Sequence, residues 1–306
     1  MWRNVKMNMN WKVMGLAVAL GVGVLGSASG AEPSGAEQPA TEQPTTEQPT
    51  TEQPATGQGT VKKSTPAQPA GGAYGAGSTT SWAVGIGAKH ASSPYKKYDD
   101  NDLVAIPAAS YEKGKFFWYG TEAGVKVYRR NAHSIHVGVS WKAHEFSPKD
   151  TDDLQLQLLD KRKPTLMADV SYIYRGKIGI ARVKASVDVL GRSDGMVLDA
   201  SYRYPVVKAK KFQALAGAGV EWANGMQNDY YYGVTQEEAQ RSGLKAYKAE
   251  NGLTPYLTVE AKYDISKRWS AFAVGKLSFL NGEVKDSPMV DKSTTYYIGA
   301  GLLYKF

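Results

Sequence analysis

The chain has 306 residues, a formal net charge of +8, 32 glycines, 19 tyrosines and no cysteine. That length holds one large all-β domain with appendages, and the missing cysteine excludes a disulfide framework, a thiolate metal site, a cysteine nucleophile and a lipoprotein anchor. Beyond the first thirty residues no apolar run is long enough for a membrane-spanning helix.

Residues 1–30 read as a secretory signal peptide. Arg3, Lys6 and Lys12 make a positive start, Val13 to Leu25 is a short apolar core, and Ser27 to Ala31 supplies small residues for cleavage. Residues 31–80 have no hydrophobic period. Glu-Gln-Pro recurs at 37, 42, 47 and 52, and so polar and proline-rich a segment buries too little apolar surface to offset the entropy of ordering. The expectation is a disordered periplasmic tether, either a plain spacer or one that meets cell-wall components. The tether is acidic, so residues 81–306 carry the whole net charge of +8. Behind a signal peptide, that charge points to lipopolysaccharide or phospholipid headgroups as neighbours, and no nucleic-acid partner is expected.

From Ser81 the apolar period becomes two. In the segment 212–222, Phe212, Ala214, Ala216, Ala218, Val220 and Trp222 share one face, aromatic at both ends and aliphatic between. That is the pattern of a strand crossing a bilayer between two aromatic girdles. The second face of other segments carries ionisable residues, as where Arg182, Lys184 and Asp188 alternate with Ala181, Val183, Ala185 and Val187. The expected fold is an all-β, antiparallel, up-and-down transmembrane barrel of ten to twelve strands. About twelve are placed, near 81–91, 103–111, 115–120, 122–129, 134–145, 165–175, 178–190, 195–206, 211–222, 253–265, 269–280 and 293–306, and the C-terminal strand closes the barrel. With an even count both ends lie in the periplasm. The short connections then fall on the periplasmic side, and the long loops near 146–164, 223–252 and 281–292 fall outside. Phe306, with Tyr304 and Leu302 on the same face of the last strand, resembles the terminal signal by which the barrel assembly machinery recognises its clients.

Besides the terminal signal, two groups of residues are candidates for function. The inward faces carry Arg175, Arg182, Lys184, Arg203 and Lys262 against Asp169, Asp188, Asp199, Glu221 and Glu260. They make either an ion-paired plug or a narrow pore with mild anion preference. In the 223–252 loop, Thr235 to Glu238 is a capping box that should start a short helix, and Gly243 is placed to end it. Tyr230, Tyr231, Tyr232 and Arg241 of that loop either anchor a partner or pack as a lid across the barrel mouth. No nucleophile elbow, phosphate loop or zinc helix appears, and no cofactor or metal is expected. His136, Ser140 and His144 share one face, but successive members are four residues apart, roughly 13 Å along a strand and too far for a nucleophile and its base. The chain is not expected to be an enzyme.

The C-terminal part carries a more specific signal. Asp229 to Val234, Glu238-Ala239, Arg241 to Leu244, Tyr247, Pro255-Tyr256, Trp269-Ser270, Asp286 to Val290 and the ending Gly299 to Phe306 closely resemble the MltA-interacting protein/OmpV family. The likeness is looser over 81–222 and does not include the tether. The resemblance implies an outer-membrane barrel that scaffolds a lytic murein transglycosylase and a penicillin-binding protein. Other members are linked to osmotic response, adhesion or immunogenicity, so a surface adhesin is one alternative; the charged inward faces give another, a porin-like small-solute channel.

Overall fold

The computed structural model describes residues 81–98 and 103–306. The expected signal peptide and tether lie outside the described residues. Twelve strands alternate up and down: β1 (Ser81–Ala91), β2 (Val104–Lys113), β3 (Phe116–Tyr119), β4 (Glu122–Arg130), β5 (His133–Lys142), β6 (Thr165–Gly176), β7 (Gly179–Asp188), β8 (Met196–Lys208), β9 (Phe212–Ala223), β10 (Gly252–Asp264), β11 (Trp269–Phe279) and β12 (Thr294–Lys305). Each pairs antiparallel with its chain neighbours, and β12 pairs with β1 from Ala83↔Lys305 to Ala91↔Tyr297, so the sheet closes. Pairing of β12 with β1 removes the two terminal sheet edges that would otherwise face hydrocarbon.

The period-two pattern explains which face turns out. Val84, Ile86, Val137, Val170, Val183, Leu198, Val259 and Ile298 are all exposed on the barrel exterior. Such a continuous apolar band suits lipid and would be an aggregation surface in water. The opposite faces point into the lumen, where glycines admit large rings. Gly301 lies opposite Phe272, and a Cβ there would sit 2.8 Å from the Phe272 ring.

The barrel wall is uneven at one place. The β3–β4 hairpin is short, and β3 pairs with β2 only from Ser110 to Lys113. Above that point β2 has no strand partner on this side. The Ala109 carbonyl accepts the Gly120 N–H, so Pro107, two residues away, directs its missing N–H toward the same unpaired edge. A proline is tolerated there because no ladder bond is lost.

The turns at one end of the barrel are tight, whereas four of the connections at the other end are long and folded. They contain helices α1 (Gly225–Tyr232), α2 (Gln236–Ser242) and α3 (Gly282–Lys285), and two 3-10 turns at Pro148–Asp150 and Leu156–Leu158.

Candidate functional site: lid and lumen

The long loops pack on one another across one mouth of the barrel. Their core is Tyr95, Phe146, Leu156, Leu159, Val234, Val284, Met289 and Val290, all buried. Only residues outside the strands contribute, so this is an apolar core separate from the barrel wall. Tyr95 is its centre: its ring meets Phe146 edge-on at 4.8 Å, and its hydroxyl donates to the Tyr231 carbonyl at 3.1 Å. Single β-bridges, Tyr95↔Val290, Tyr98↔Thr151 and Phe146↔Arg162, stitch loop to loop.

α2 is built as its sequence dictates. Thr235 and Glu238 form the reciprocal capping box, and Gly243 ends the helix in the left-handed region at φ 73°. The same Glu238 carboxylate, fully buried, accepts hydrogen bonds from Arg162 at 2.9 Å, from the Asp160 N–H at 2.9 Å and from the Thr235 N–H at 3.0 Å. Burial opposes its ionisation, but the Arg162 bond and the two backbone donors outweigh it and hold the carboxyl below the usual glutamate range. Arg241 fastens the outer side: its Nε donates to the Leu158 carbonyl at 2.6 Å, and it pairs with Asp160 at 2.6 Å.

The three tyrosines of α1 face the protein. Tyr231 is 1% exposed and donates to the Lys163 carbonyl, Tyr230 accepts the Lys163 N–H, and Tyr232 packs on the lid core. Burial raises the ionisation of Tyr231 and Tyr232 well above the ordinary phenol value. His144, expected on the β5 face, has left the strand. Its Nε2 lies 3.2 Å from the Tyr95 hydroxyl and its ring contacts Tyr231 and Tyr232. Burial, and then the neighbouring Lys142 ammonium, push it down to about 4.

Below the lid, inward side chains bridge strands that are not neighbours in the sheet. Arg182 of β7 reaches both Glu122 oxygens of β4 at 2.8 Å, while Lys184 contacts Asp169 at 3.1 Å and Glu122 at 3.6 Å. Arg203 of β8 pairs with Glu260 of β10 at 2.8 Å. Asp264 holds Lys305 at 2.6 Å and Lys262 at 3.4 Å. Asp199 accepts from the Tyr256 hydroxyl at 2.6 Å, and Glu221 lies 3.5 Å from Lys142. Ile173, Ile180 and Leu215 form a buried apolar contact on the inward faces nearer the end away from the lid. Under the lid a cavity of about 220 Å³ is lined by Lys142, His144, Glu221, Gln227, Tyr232 and Lys276, among others.

Most candidate lumen residues are therefore brought together, but not all in the expected role. Asp188 is a correction. It sits at the top of β7 and its carboxylate gathers the N–H groups of Leu190, Arg192, Ser193 and Asp194, capping the 189–195 loop in place of a lumen ion pair. Arg175 lies at the end of β6 away from the lid, opposite Ile180 of β7. Glu112 and Glu122 were not foreseen as lumen residues, because each adjoins a turn in the sequence. Glu112 pairs with Lys126, and Glu122 joins Arg182 and Lys184. The 92–98 loop was also missed, although it supplies Tyr95. His136, Ser140 and His144 serve three separate neighbours: His136 packs on Phe117, Ser140 accepts from Lys184, and His144 belongs to the lid.

At the rim opposite the lid, Phe306 is 79% exposed and faces outward, its ring 5.0 Å from Tyr304. Its N–H donates to the Trp82 carbonyl, and Trp82 and Trp269 add to the same outward aromatic belt.

Comparison with known proteins gives this barrel relatives. The family model described as MltA-interacting protein MipA matches residues 84–306. The MltA-interacting protein of Escherichia coli (strain K12) is 35% identical over 225 residues, covering 74% of this chain and 90% of that protein. YiaT of the same strain is 33% identical over 223 residues, covering 73% and 90%. Outer membrane protein OmpV of Vibrio cholerae is 25% identical over 148 residues, covering 48% and 57%. These names are those of interaction and outer-membrane proteins, not of enzymes.

Proposed function

The chain belongs to the MltA-interacting protein family and is an outer-membrane barrel, and from that premise we propose that it is a scaffold that brings a lytic murein transglycosylase to the periplasmic face of the membrane. The observation that carries this reading is the match over 84–306, together with 35% identity to a protein named for its interaction with MltA. The form of the barrel supports it: a lid with its own apolar core and a lumen laced by ion pairs make a stiff body suited to presenting a surface. In this reading residues 31–80 are a periplasmic arm that extends the reach of the scaffold, and a penicillin-binding protein is a second client. Pull-down of the full chain from detergent extracts, with and without residues 31–80, tests it. Transglycosylase enrichment above that of an unrelated barrel is expected; equal enrichment refutes the scaffold.

A second reading, a small-solute channel, is favoured by the charged cavity under the lid. Planar-bilayer recording of the purified barrel separates the two, since conductance steps would support a channel and their absence a scaffold.

A further inference from the structure

The charge of the barrel is unevenly distributed. The strands carry ten Lys or Arg against eight Asp or Glu, and the extracellular connections carry twelve against sixteen. The segments 113–115, 129–132, 177–178, 208–211 and 266–268, which make the five periplasmic turns, carry ten Lys or Arg and no Asp or Glu. Every turn contributes at least one cation, and all ten are exposed. The side-chain carboxylates next to these turns do not offset them, because Glu112 and Asp264 turn inward to Lys126 and to Lys262 and Lys305. The excess charge of the barrel is thus a ring around its periplasmic rim.

Several of these cations lie on the lipid-facing aromatic belt. The Lys115 ammonium is 5.6 Å from the Phe116 ring centre, and Phe116 is 52% exposed on the exterior. Lys113 lies opposite Phe116 in register, and Arg130 opposite His133. The Arg268 guanidinium donates to the Tyr304 hydroxyl at 3.2 Å. Aromatic belts mark the membrane–water interface, so cations on and just beyond the belt stand at the depth of the headgroup phosphates.

We propose that this ring binds the phosphates of anionic phospholipids in the inner leaflet and holds an annulus of acidic lipid around the barrel. The full circumference favours lipid over a protein partner, since a docked protein covers one sector whereas lipid surrounds all five turns. The attraction is electrostatic and largely exposed, so it weakens as salt rises.

The full-length protein is reconstituted in bilayers of phosphatidylethanolamine with a minority of phosphatidylglycerol, extracted gently, and its retained lipids are counted by native mass spectrometry. Phosphatidylglycerol is expected to be enriched among them over its share of the bilayer. The enrichment should be lost in the Lys113→Gln/Lys115→Gln/Arg130→Gln/Arg268→Gln variant, with heat-modifiable mobility confirming that the variant is folded. If that variant does not fold, raising the salt during extraction of the wild type should produce the same loss. Absence of enrichment in the wild type, or enrichment that survives both the variant and salt, overturns the proposal. A third arm sediments the protein with purified sacculi. If the ring variant loses sacculus binding while the lipid composition is unchanged, the ring reads the cell wall and the lipid proposal is likewise overturned.

Discussion

Replacing Glu238 with Ala should open the lid while leaving the barrel folded. The carboxylate is fully buried and takes three hydrogen bonds, one from a guanidinium that is itself only 10% exposed. Its removal leaves the Arg162 charge buried without its counter-ion and orphans the Asp160 and Thr235 N–H groups. Breaking a buried pair in this way costs about 3–5 kcal/mol, which raises the population of the open lid by roughly two to three and a half orders of magnitude. Amide hydrogen exchange reads this directly, with peptides from 143–164 and 224–251 expected to accelerate while β6 stays protected as the internal reference. Glu238→Gln retains a capping acceptor and should accelerate exchange less. The double change Glu238→Leu/Arg162→Met removes both charges and should recover much of the loss. If exchange in 143–164 is unchanged in the alanine variant, the Glu238–Arg162 contact does not hold the lid and the reasoning fails.

Further outcomes are expected. His144 is buried against Tyr95, Tyr231 and Tyr232, with Lys142 and Glu221 also acting on it, and is held at about 4, below the ordinary ~6.5. An opened lid therefore binds the proton that the closed lid excludes. The contribution of His144 to closure is complete above the ordinary value and falls as pH drops toward about 4, by roughly 3 kcal/mol in all. Spin labels at Leu154→Cys and Met226→Cys should show a broadening distance distribution over that range, and His144→Gln should flatten the response. The carboxyl of Glu238, held below its ordinary value, acts with the same sign at lower pH: its contribution is present above the ordinary glutamate value and disappears as pH falls through the depressed one. Gly243→Ala places a side chain at φ 73° and should weaken the lid by about 1–2 kcal/mol, visible as faster exchange in α2 alone. Deleting Phe306 should lower the heat-modifiable folded fraction far more than Lys305→Gln does, because Phe306 lies in the outward aromatic belt whereas Lys305 points inward to Asp264; equal yields would refute a terminal assembly signal.

The strands were legible because a bilayer enforces one simple rule, apolar out and anything else in, with a period of two. The expected segments agree with the observed ones to within a few residues, and Thr235, Glu238 and Gly243 located α2 from local chemistry alone. The lid was not legible as a unit. Tyr95 lies in Ser-Ser-Pro-Tyr-Lys-Lys-Tyr, which has no period and reads as an ordinary polar loop. Its burial depends on Phe146, Val234 and Val290, which come from three other loops. The lumen was half legible for a related reason. Alternation shows that Arg182 points inward, but that it meets Glu122, three strands away, follows from the curvature and stagger of the closed sheet. Asp188 shows the limit of alternation, since inward parity at the last residue of a strand says nothing about the loop it will cap.

Lid and lumen are separate obstacles, which yields a last prediction. Deleting 224–250 removes Tyr231, Tyr232, Val234 and Glu238, and with them much of the lid core and the partner of Arg162. The cavity beneath would open to solvent. The ion pairs Arg182–Glu122 and Arg203–Glu260 and the Ile173–Ile180–Leu215 contact would remain, because all of them are made by strand residues that the deletion does not touch. Opposite charges so disposed satisfy one another, and separating them without replacement partners is costly. The deletion variant, recorded in a planar bilayer, should therefore show no conductance steps although its mouth is open. Steps should appear only when the pairs are also removed, as in the deletion combined with Arg182→Ser, Glu122→Ser, Arg203→Ser and Glu260→Ser. Steady conductance from the deletion alone would mean that the ion-paired lumen is passable as it stands, and the channel reading would then displace the scaffold as the better account of why this barrel carries so much inward charge.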